Sequence, residues 1–327
     1  MAEATEMTLR EFVNTFWKPY LDRKNVKPAT KSGYQSILDC HLFPELGELP
    51  LAGIMPLHIE NLVRQKEKEE LSPKSIRNIL VVLQGIFHIA VDNDLIQRSP
   101  VRKSHKPDYS RAEKSAWSAD QLRVILENVS QGYRSLFTCV ALTGLRLGEL
   151  LALQWRHLDF ETRTIKIEQS LWRGQIVSPK TTGSIRTVPY GDVLGEILVS
   201  HRRSSLHQGL GDFVFSKEDG AFFNPDVLRK DVLYPVLDRL QIPRPKRAAG
   251  FHAFRHSAAS LINSETGNLK LAQGLLGHSD LSTTADIYTH TSTEARREAS
   301  EVLERSIFRD LFPIVPKTGN RSSQTVN

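Results

Sequence analysis

Residues 97 to 114 read QRSPVRKSHKPDYSRAEK, and no single regular element can run through them. Pro100 and Pro107 each remove a backbone N–H, and no apolar residue recurs at helical or strand spacing. Six cations (Arg98, Arg102, Lys103, Lys106, Arg111 and Lys114) stand against two anions, Asp108 and Glu113. Such a stretch reads as an extended basic linker over 98–117, so the 327-residue chain is expected to fold as two domains. A solvated linker with no partner fits this composition as well as one that crosses a phosphate backbone.

Upstream, over 1–97, the apolar spacing is helical throughout. Leu9, Phe12, Val13, Phe16 and Trp17 recur three and four apart and predict one apolar face. A second helix starts near Pro28 with Tyr34, Ile37 and Leu38 inward, followed by the Gly/Pro-rich bridge LFPELGELPLAGI. Ile59, Leu62 and Val63 mark a third. Ser72-Pro73, an N-cap followed by proline at the first helical position, opens a fourth. Its stripe is Ile76, Ile79, Leu80, Leu83, Ile86, Phe87 and Ala90. Lys27, Lys31, Lys74 and Arg77 fall at helix starts, where backbone N–H groups also favour phosphate. A solvated surface accounts for these four nearly as well.

Downstream, over 118–299, the pattern is mixed. Ser118 caps a helix through Leu122, Val124, Ile125 and Leu126, and a second spans Arg134 to Leu142. The alternation from Thr162 to Glu168 predicts a strand. Gln175 to Val177 and Ser184 to Val188 are expected to form an antiparallel hairpin joined through Lys180-Thr-Thr-Gly183. Helices return from Pro225. The expected fold class is therefore mainly α: an all-α four-helix domain, then a mixed α+β, mostly helical domain with a small antiparallel sheet. Residues 300–327 hold a helical apolar face (Val302, Leu303, Ile307, Phe308, Leu311, Phe312) and a polar tail, PKTGNRSSQTVN, expected to be disordered.

Charge is spread evenly. Fifteen basic residues meet 14 acidic ones up to residue 110, and the net +6 excludes a polycation while permitting an anionic partner. Cys40 and Cys139 are too few for a disulfide scaffold and suit a reducing compartment. No apolar run approaches about 18 residues, and MAEATEMTLREF lacks the apolar core of a signal peptide. A soluble, cytoplasmic protein is expected.

Three clusters carry residues of chemical use: Thr143-Gly-Leu-Arg146-Leu-Gly-Glu149, His252-Ala-Phe-Arg255-His256, and Gly277-His278 followed by Thr284-Ala-Asp-Ile-Tyr288-Thr-His290. Alone, Arg146 and Glu149 read as an ordinary ion pair. His252 and His256 have a spacing that suits one metal ion, but Ala253 replaces the glutamate of a zinc hydrolase and no paired carboxylate lies nearby, so no metal and no cofactor are expected. No Gly-x-Ser-x-Gly elbow occurs. Together the clusters hold the parts for metal-free phosphoryl transfer. Two guanidinium forks match the charge that grows on non-bridging phosphate oxygens. A tyrosine suits a reversible attack, although with a pKa near 10 only about one phenol in a thousand is ionised at pH 7. A lysine on a hairpin could protonate the leaving oxygen.

TGLRLGELLAL, HAFRHSAAS, LLGHS and TADIYTH, in this order, resemble the motifs of the tyrosine recombinases, the phage integrase family, and SPKTTGSIRTVP resembles their catalytic hairpin. The likeness covers Ser118 to Ala299, and the four-helix domain is similar to the family's SAM-like core-binding domain. The resemblance implies that Tyr288 attacks the scissile phosphate to give a 3′-phosphotyrosyl link. Arg146 and Arg255 would clamp its oxygens, and Lys180 would protonate the 5′ leaving oxygen, with mid-strand Lys166 the weaker candidate. By the same likeness His252 would exchange a proton near the phenol, His278 would bond a phosphate oxygen, and Glu149 would orient an arginine and a histidine. Phe254 stands where the family more often has leucine, and His256 is expected to be structural.

The core-binding helices start almost at once, so the expected type is the simpler, Xer-like recombinase without an arm-binding domain. Its implied partner is duplex DNA at a short inverted-repeat core site, clamped between two domains and touched by Lys27, Lys31, Lys74, Arg77, Arg102, Lys103 and Lys106. The tail implies a tetramer on DNA through docking on a neighbouring protomer, and packing on its own domain is the alternative. Accessory bending or directionality proteins fit the family as well. Integration or excision of a mobile element is the expected task. Chromosome-dimer resolution, a topoisomerase and a catalytically silent DNA-binding protein of the same fold are the rivals.

Overall fold

The structure, a computed structural model, describes residues 6–109, 116–177, 185–244, 250–276 and 293–308, and divides into two compact units, Met1–Ala112 and Glu113–Asn327. Lys180, His278, Tyr288, Ser184 and the polar tail from Pro316 onward lie outside the described residues.

The first unit is built from four helices among its described residues. Helix α1 runs through Leu9–Phe12, the π-helical Val13–Trp17 and Lys18–Arg23. Thr8 caps it reciprocally: its hydroxyl accepts from Glu11 N at 3.2 Å while Thr8 N donates to Glu11 Oε2 at 2.8 Å. Helix α2 comprises Pro28–Ile37, the π-helical Leu38–Leu42 and Phe43–Leu46. Helix α3 is Pro56–Lys68, and α4 is Pro73–Asp92, where Ser72 Oγ accepts from Ser75 N at 3.1 Å.

Both π turns end two residues before a proline, Pro19 and Pro44. Proline lacks the N–H of the helical ladder and its ring collides with the carbonyl four residues back. Widening the preceding turn to an i→i+5 ladder moves that carbonyl away, so the helix continues past the proline. Two differences from the periodicity follow. The bridge from Leu42 starts as helix rather than loop. Of the two aromatic residues expected on the apolar face here, Trp17, five residues after Phe12 across the wider turn, is buried, while Phe16 is turned out to 38% exposure.

Helix α4 is, among the described residues, long and apolar enough to cross a membrane. Nine of its side chains, from Ile76 to Ala90, are buried among Leu9, Phe12, Leu42 and Ile59, as a core helix of a globular domain requires. The basic stretch after it is seated on the same unit. Val101 and His105 are buried, Lys103–His105 forms a 3-10 turn, and Arg77 donates to the Pro107 carbonyl at 3.0 Å.

In the second unit, helix α5 is Ala119–Asn128, with Ser118 Oγ accepting from Gln121 N at 3.2 Å. Helix α6 is Gln131–Thr143 and α7 is the short Leu147–Leu151. Strands β1 (Leu158–Asp159), β2 (Thr164–Ile167), β3 (Ser170–Trp172), β4 (Gln175–Val177) and β5 (Arg186–Pro189) make two antiparallel arrays. Their pairing corrects the expected hairpin. Strand β5 pairs with β2, Ile165 opposite Val188, and β4 pairs with β3, Leu171 opposite Ile176. The two-residue turn Arg173-Gly174 has φ of 47° and 80°, the doubly left-handed turn that suits a tight hairpin.

The remaining elements are α8 (Asp192–Ser204), α9 (Pro225–Val227, the π-helical Leu228–Leu233 before Pro235, and Tyr234–Arg239), α10 (Phe251–Thr266), α11 (Leu269–Leu276) and α12 (Thr293–Ile307). Helix α10 packs against α6, α11 and α12. Its Phe254 is fully buried, with ring centroids 4.9 Å from Trp117 and 5.8 Å from Phe137, so the larger ring is absorbed by an aromatic cluster.

Helix α12 packs the first part of the tail on its own unit, the alternative raised for it. Ala299, Val302, Leu303 and Ile307 are buried, and Ala299, Leu303 and Ile307 belong to the core of their own unit. The Glu304 carboxylate accepts from Val193 N at 3.2 Å and Leu194 N at 3.1 Å, capping α8. Arg297 Nη2 donates to the Thr162 carbonyl at 2.8 Å. A face that leads with aliphatic residues and aims an acid at a helix N-terminus is satisfied at home, as far as Ile307. Leu311 and Phe312 lie outside the described residues.

Candidate active site

The turn between α6 and α7 organises the site. Gly144 ends α6 in the left-handed conformation, φ 59°, and its N–H reaches the Val140 carbonyl at 2.9 Å. A Cβ there would stand 2.2 Å from Leu276 Cδ2, so both the conformation and the packing need glycine. Arg146 is then the N-cap of α7, in extended conformation. Gly148 lets α7 lie on β3: a Cβ at that position would meet Ser170 Oγ at 2.6 Å and the Leu171 carbonyl at 2.7 Å.

Glu149 sits in the first turn of α7, 4% exposed, and accepts four hydrogen bonds from two arginines. Arg146 N reaches Oε2 at 3.0 Å and Arg146 Nη1 reaches Oε1 at 2.7 Å. Arg186, from β5 and 7% exposed, adds a fork: Nη1 to Oε1 at 3.2 Å and Nη2 to Oε2 at 2.9 Å. Burial by itself would push this carboxyl up. The Arg186 hydrogen bonds and charge, with those of Arg146, overcome that and hold it at about 2. Arg146 is 37% exposed, so its guanidinium reaches solvent while its partner carboxylate does not.

Arg255, on α10, is 3% exposed. Its Nη1 donates to the Gly144 carbonyl at 2.8 Å and its Nη2 to the Leu276 carbonyl at 2.6 Å, joining the α6–α7 turn to the end of α11. Burial, then the like charges of Arg146 and Arg186, bring its pKa down to about 9, and it stays protonated at neutral pH. His252 is exposed one turn earlier on α10, and His256 is half-buried. The structure thus brings Arg146, Glu149 and Arg255 together, with His252 on the same helix as Arg255. It adds Arg186, which sequence reasoning left without a role. A signal for it existed: Arg186 alternates in phase with the buried Val188, and a charge on the inner face of a strand requires a partner. Lys166 is exposed on β2 and ion-paired with Glu168.

The seven basic residues expected at DNA lie in the first unit. Lys31 pairs with Asp22, Lys74 lies 5.9 Å over the Tyr109 ring, and Lys106 Nζ reaches Gln84 Oε1 at 3.3 Å. Lys27 is the N-cap residue of α2, and Arg102 and Lys103 are exposed beside the 3-10 turn.

The model of the phage integrase family matches residues 117–295, and that of the phage integrase N-terminal SAM-like domain matches 8–66. A tyrosine recombinase XerC-like protein of Caldanaerobacter subterraneus is 28% identical over 94% of this chain and 84% of its own length. The ICEBs1 integrase of Bacillus subtilis is 26% identical over 85% of this chain and 78% of its own. Among solved structures, the Tn1549 transposon integrase in complex with a circular-intermediate DNA superposes with a TM-score of 0.71, at 23% identity over 91% of this chain and 99% of that one. A lambda integrase dimer bound to a core site gives 0.67, at 18% identity over 96% of this chain and 82% of that one. With a catalytic-domain match over more than half its length and a matching N-terminal domain, the chain belongs to the phage integrase family of tyrosine recombinases.

Proposed function

We propose that this recombinase integrates and excises a mobile element by cutting and rejoining duplex DNA at a short inverted-repeat core site. The observation that carries the reading is the bond from Arg255 to the Gly144 carbonyl, which holds a second guanidinium at the turn that presents Arg146. Two fixed cations meet the charge that builds on the non-bridging oxygens of a phosphodiester under attack.

In this reaction the Tyr288 phenolate oxygen forms the new bond to phosphorus as the bond to the 5′ oxygen breaks. His252 accepts or returns the phenol proton, and His278 donates a hydrogen bond to a phosphate oxygen. Lys180 gives its proton to the leaving 5′ oxygen. The ester is conserved as a 3′-phosphotyrosyl link, so a second 5′-hydroxyl reverses the step without ATP or a metal. Glu149 positions Arg146. Residues 118–299 form the catalytic domain and 1–97 the core-binding domain. Lys27, Lys31, Lys74, Arg77, Arg102, Lys103 and Lys106 contact phosphates, and the cytoplasm is the site of action. A tetramer assembles on DNA through chain beyond Phe308, and bending or directionality proteins assist it. The relatedness to the ICEBs1 and Tn1549 integrases supports element transfer over chromosome-dimer resolution.

Covalent trapping on a random library of nicked suicide duplexes tests this. Wild type is expected to give denaturation-resistant adducts enriched in one inverted repeat, and Tyr288→Phe none. Adducts that survive Tyr288→Phe would refute the nucleophile assignment, and no adduct from a DNA-binding wild type would favour a silent protein of the same fold.

A further inference from the structure

We infer that Arg186 is a positioning residue for strand cleavage: by taking up the charge of Glu149, it leaves Arg146 with an undiminished positive charge for the scissile phosphate. The inference rests on the proposed reaction and assigns to it a residue outside the expected catalytic set.

The geometry divides the labour between two arginines. Arg186 meets the Glu149 carboxylate with both terminal nitrogens, at 3.2 and 2.9 Å, and its side chain is 7% exposed. Arg146 meets the same carboxylate through one terminal nitrogen, at 2.7 Å, and is 37% exposed. One carboxylate therefore does two jobs. Toward Arg146 it is a tether that sets where the guanidinium stands. Its charge is answered chiefly from the buried side, by a fork that comes from a different element, β5. The four side chains Arg146, Arg186, Arg255 and Glu149 carry three positive charges and one negative, a net +2, and all but Arg146 are buried, where water screens them little. Without Arg186 the net falls to +1. The whole of the buried carboxylate charge then draws on Arg146, neutralising it and pulling it inward, away from a bound phosphate. Lowering the cation's effective charge weakens the transition state more than DNA binding, because phosphate contacts along the duplex carry the affinity.

The test uses the full-length chain, the core-site duplex recovered by trapping, and single-turnover adduct formation measured across DNA concentrations. Arg186→Met is expected to slow cleavage at saturating DNA by about 10²-fold, with the half-saturating DNA concentration changed by less than about threefold. Adding Glu149→Gln to it removes the charge that Arg186 answers, and the double variant is expected to recover about tenfold over Arg186→Met. Were Arg186 only a brace between β5 and α7, the double variant would cleave no faster than Arg186→Met, and that result overturns the inference. Should Arg186→Met not fold, Arg186→Lys decides: it keeps the charge and loses the fork. A rate within about tenfold of wild type supports the charge role. A loss of about 10²-fold in a folded protein refutes it. Adducts that persist in Tyr288→Phe would instead remove the reaction on which the inference stands.

Discussion

Replacing Glu149 with glutamine probes the energetics that hold the arginine cluster together. The carboxyl has an ordinary value of 4.5 and is held at about 2 in the folded chain, chiefly against burial and by Arg186 and Arg146. A drop of that size is worth about 3 kcal/mol at neutral pH. A carboxylate with a depressed folded pKa stabilises the fold above its unfolded value, and that stability is lost as pH falls toward the folded value. By pH 3 about 2 of the 3 kcal/mol are gone. Glu149→Gln never has the contribution and also leaves Arg186 buried without its counter-charge, so at pH 7 it is expected to destabilise the second unit by about 3–5 kcal/mol. Urea unfolding followed by tryptophan fluorescence checks this, since Trp117, Trp155 and Trp172 all lie in that unit. Measured at pH 7 and pH 3, the gap between wild type and variant should narrow by about 2 kcal/mol. A gap under 1 kcal/mol at pH 7, or one that stays constant between the two pH values, would refute the reasoning. It would mean that the carboxylate is not the charged keystone of the cluster.

Two further outcomes follow from the same geometry. Gly144→Ala puts a Cβ into a left-handed turn and against Leu276, and thermal unfolding should show a loss of about 1–3 kcal/mol; an unchanged melting temperature would refute the packing argument. If Lys74 touches phosphate, Lys74→Ala should lower DNA affinity uniformly across sequences and reduce the slope of log affinity against log salt by about 1. An unchanged slope would return Lys74 to a solvated surface stacked on Tyr109.

The local features of this chain were legible in its sequence. Ser72 and Ser118 act within a few residues of themselves, as helix caps, and each does so in the structure. The four-helix first unit follows from apolar spacing for the same reason. Pro19, Pro44 and Pro235 were equally visible, yet whether a proline ends a helix or widens its preceding turn depends on whether the core rewards continuing. Phe16, in the first of these turns, faces out rather than in. Strand partners were beyond local reading: a strand's hydrogen bonds are made elsewhere in the chain, so β5 could be assigned as a strand without revealing that it pairs with β2.

The site shows the same division. The residue types came from motifs, and the resemblance assigned Arg146, Glu149, Arg255 and His252 their roles. What the tertiary structure decided is which charges share a partner. Arg186 reaches Glu149 across 37 residues of chain, and Arg255 reaches the Gly144 carbonyl across 111. Helix α12 turns its aliphatic face and Glu304 onto its own unit. Spacing along a helix fixes neighbours only within a turn or two. Whether a buried charge is paired, and with what, is set by the packing of elements far apart in sequence, since only there does desolvation make an unpaired charge costly.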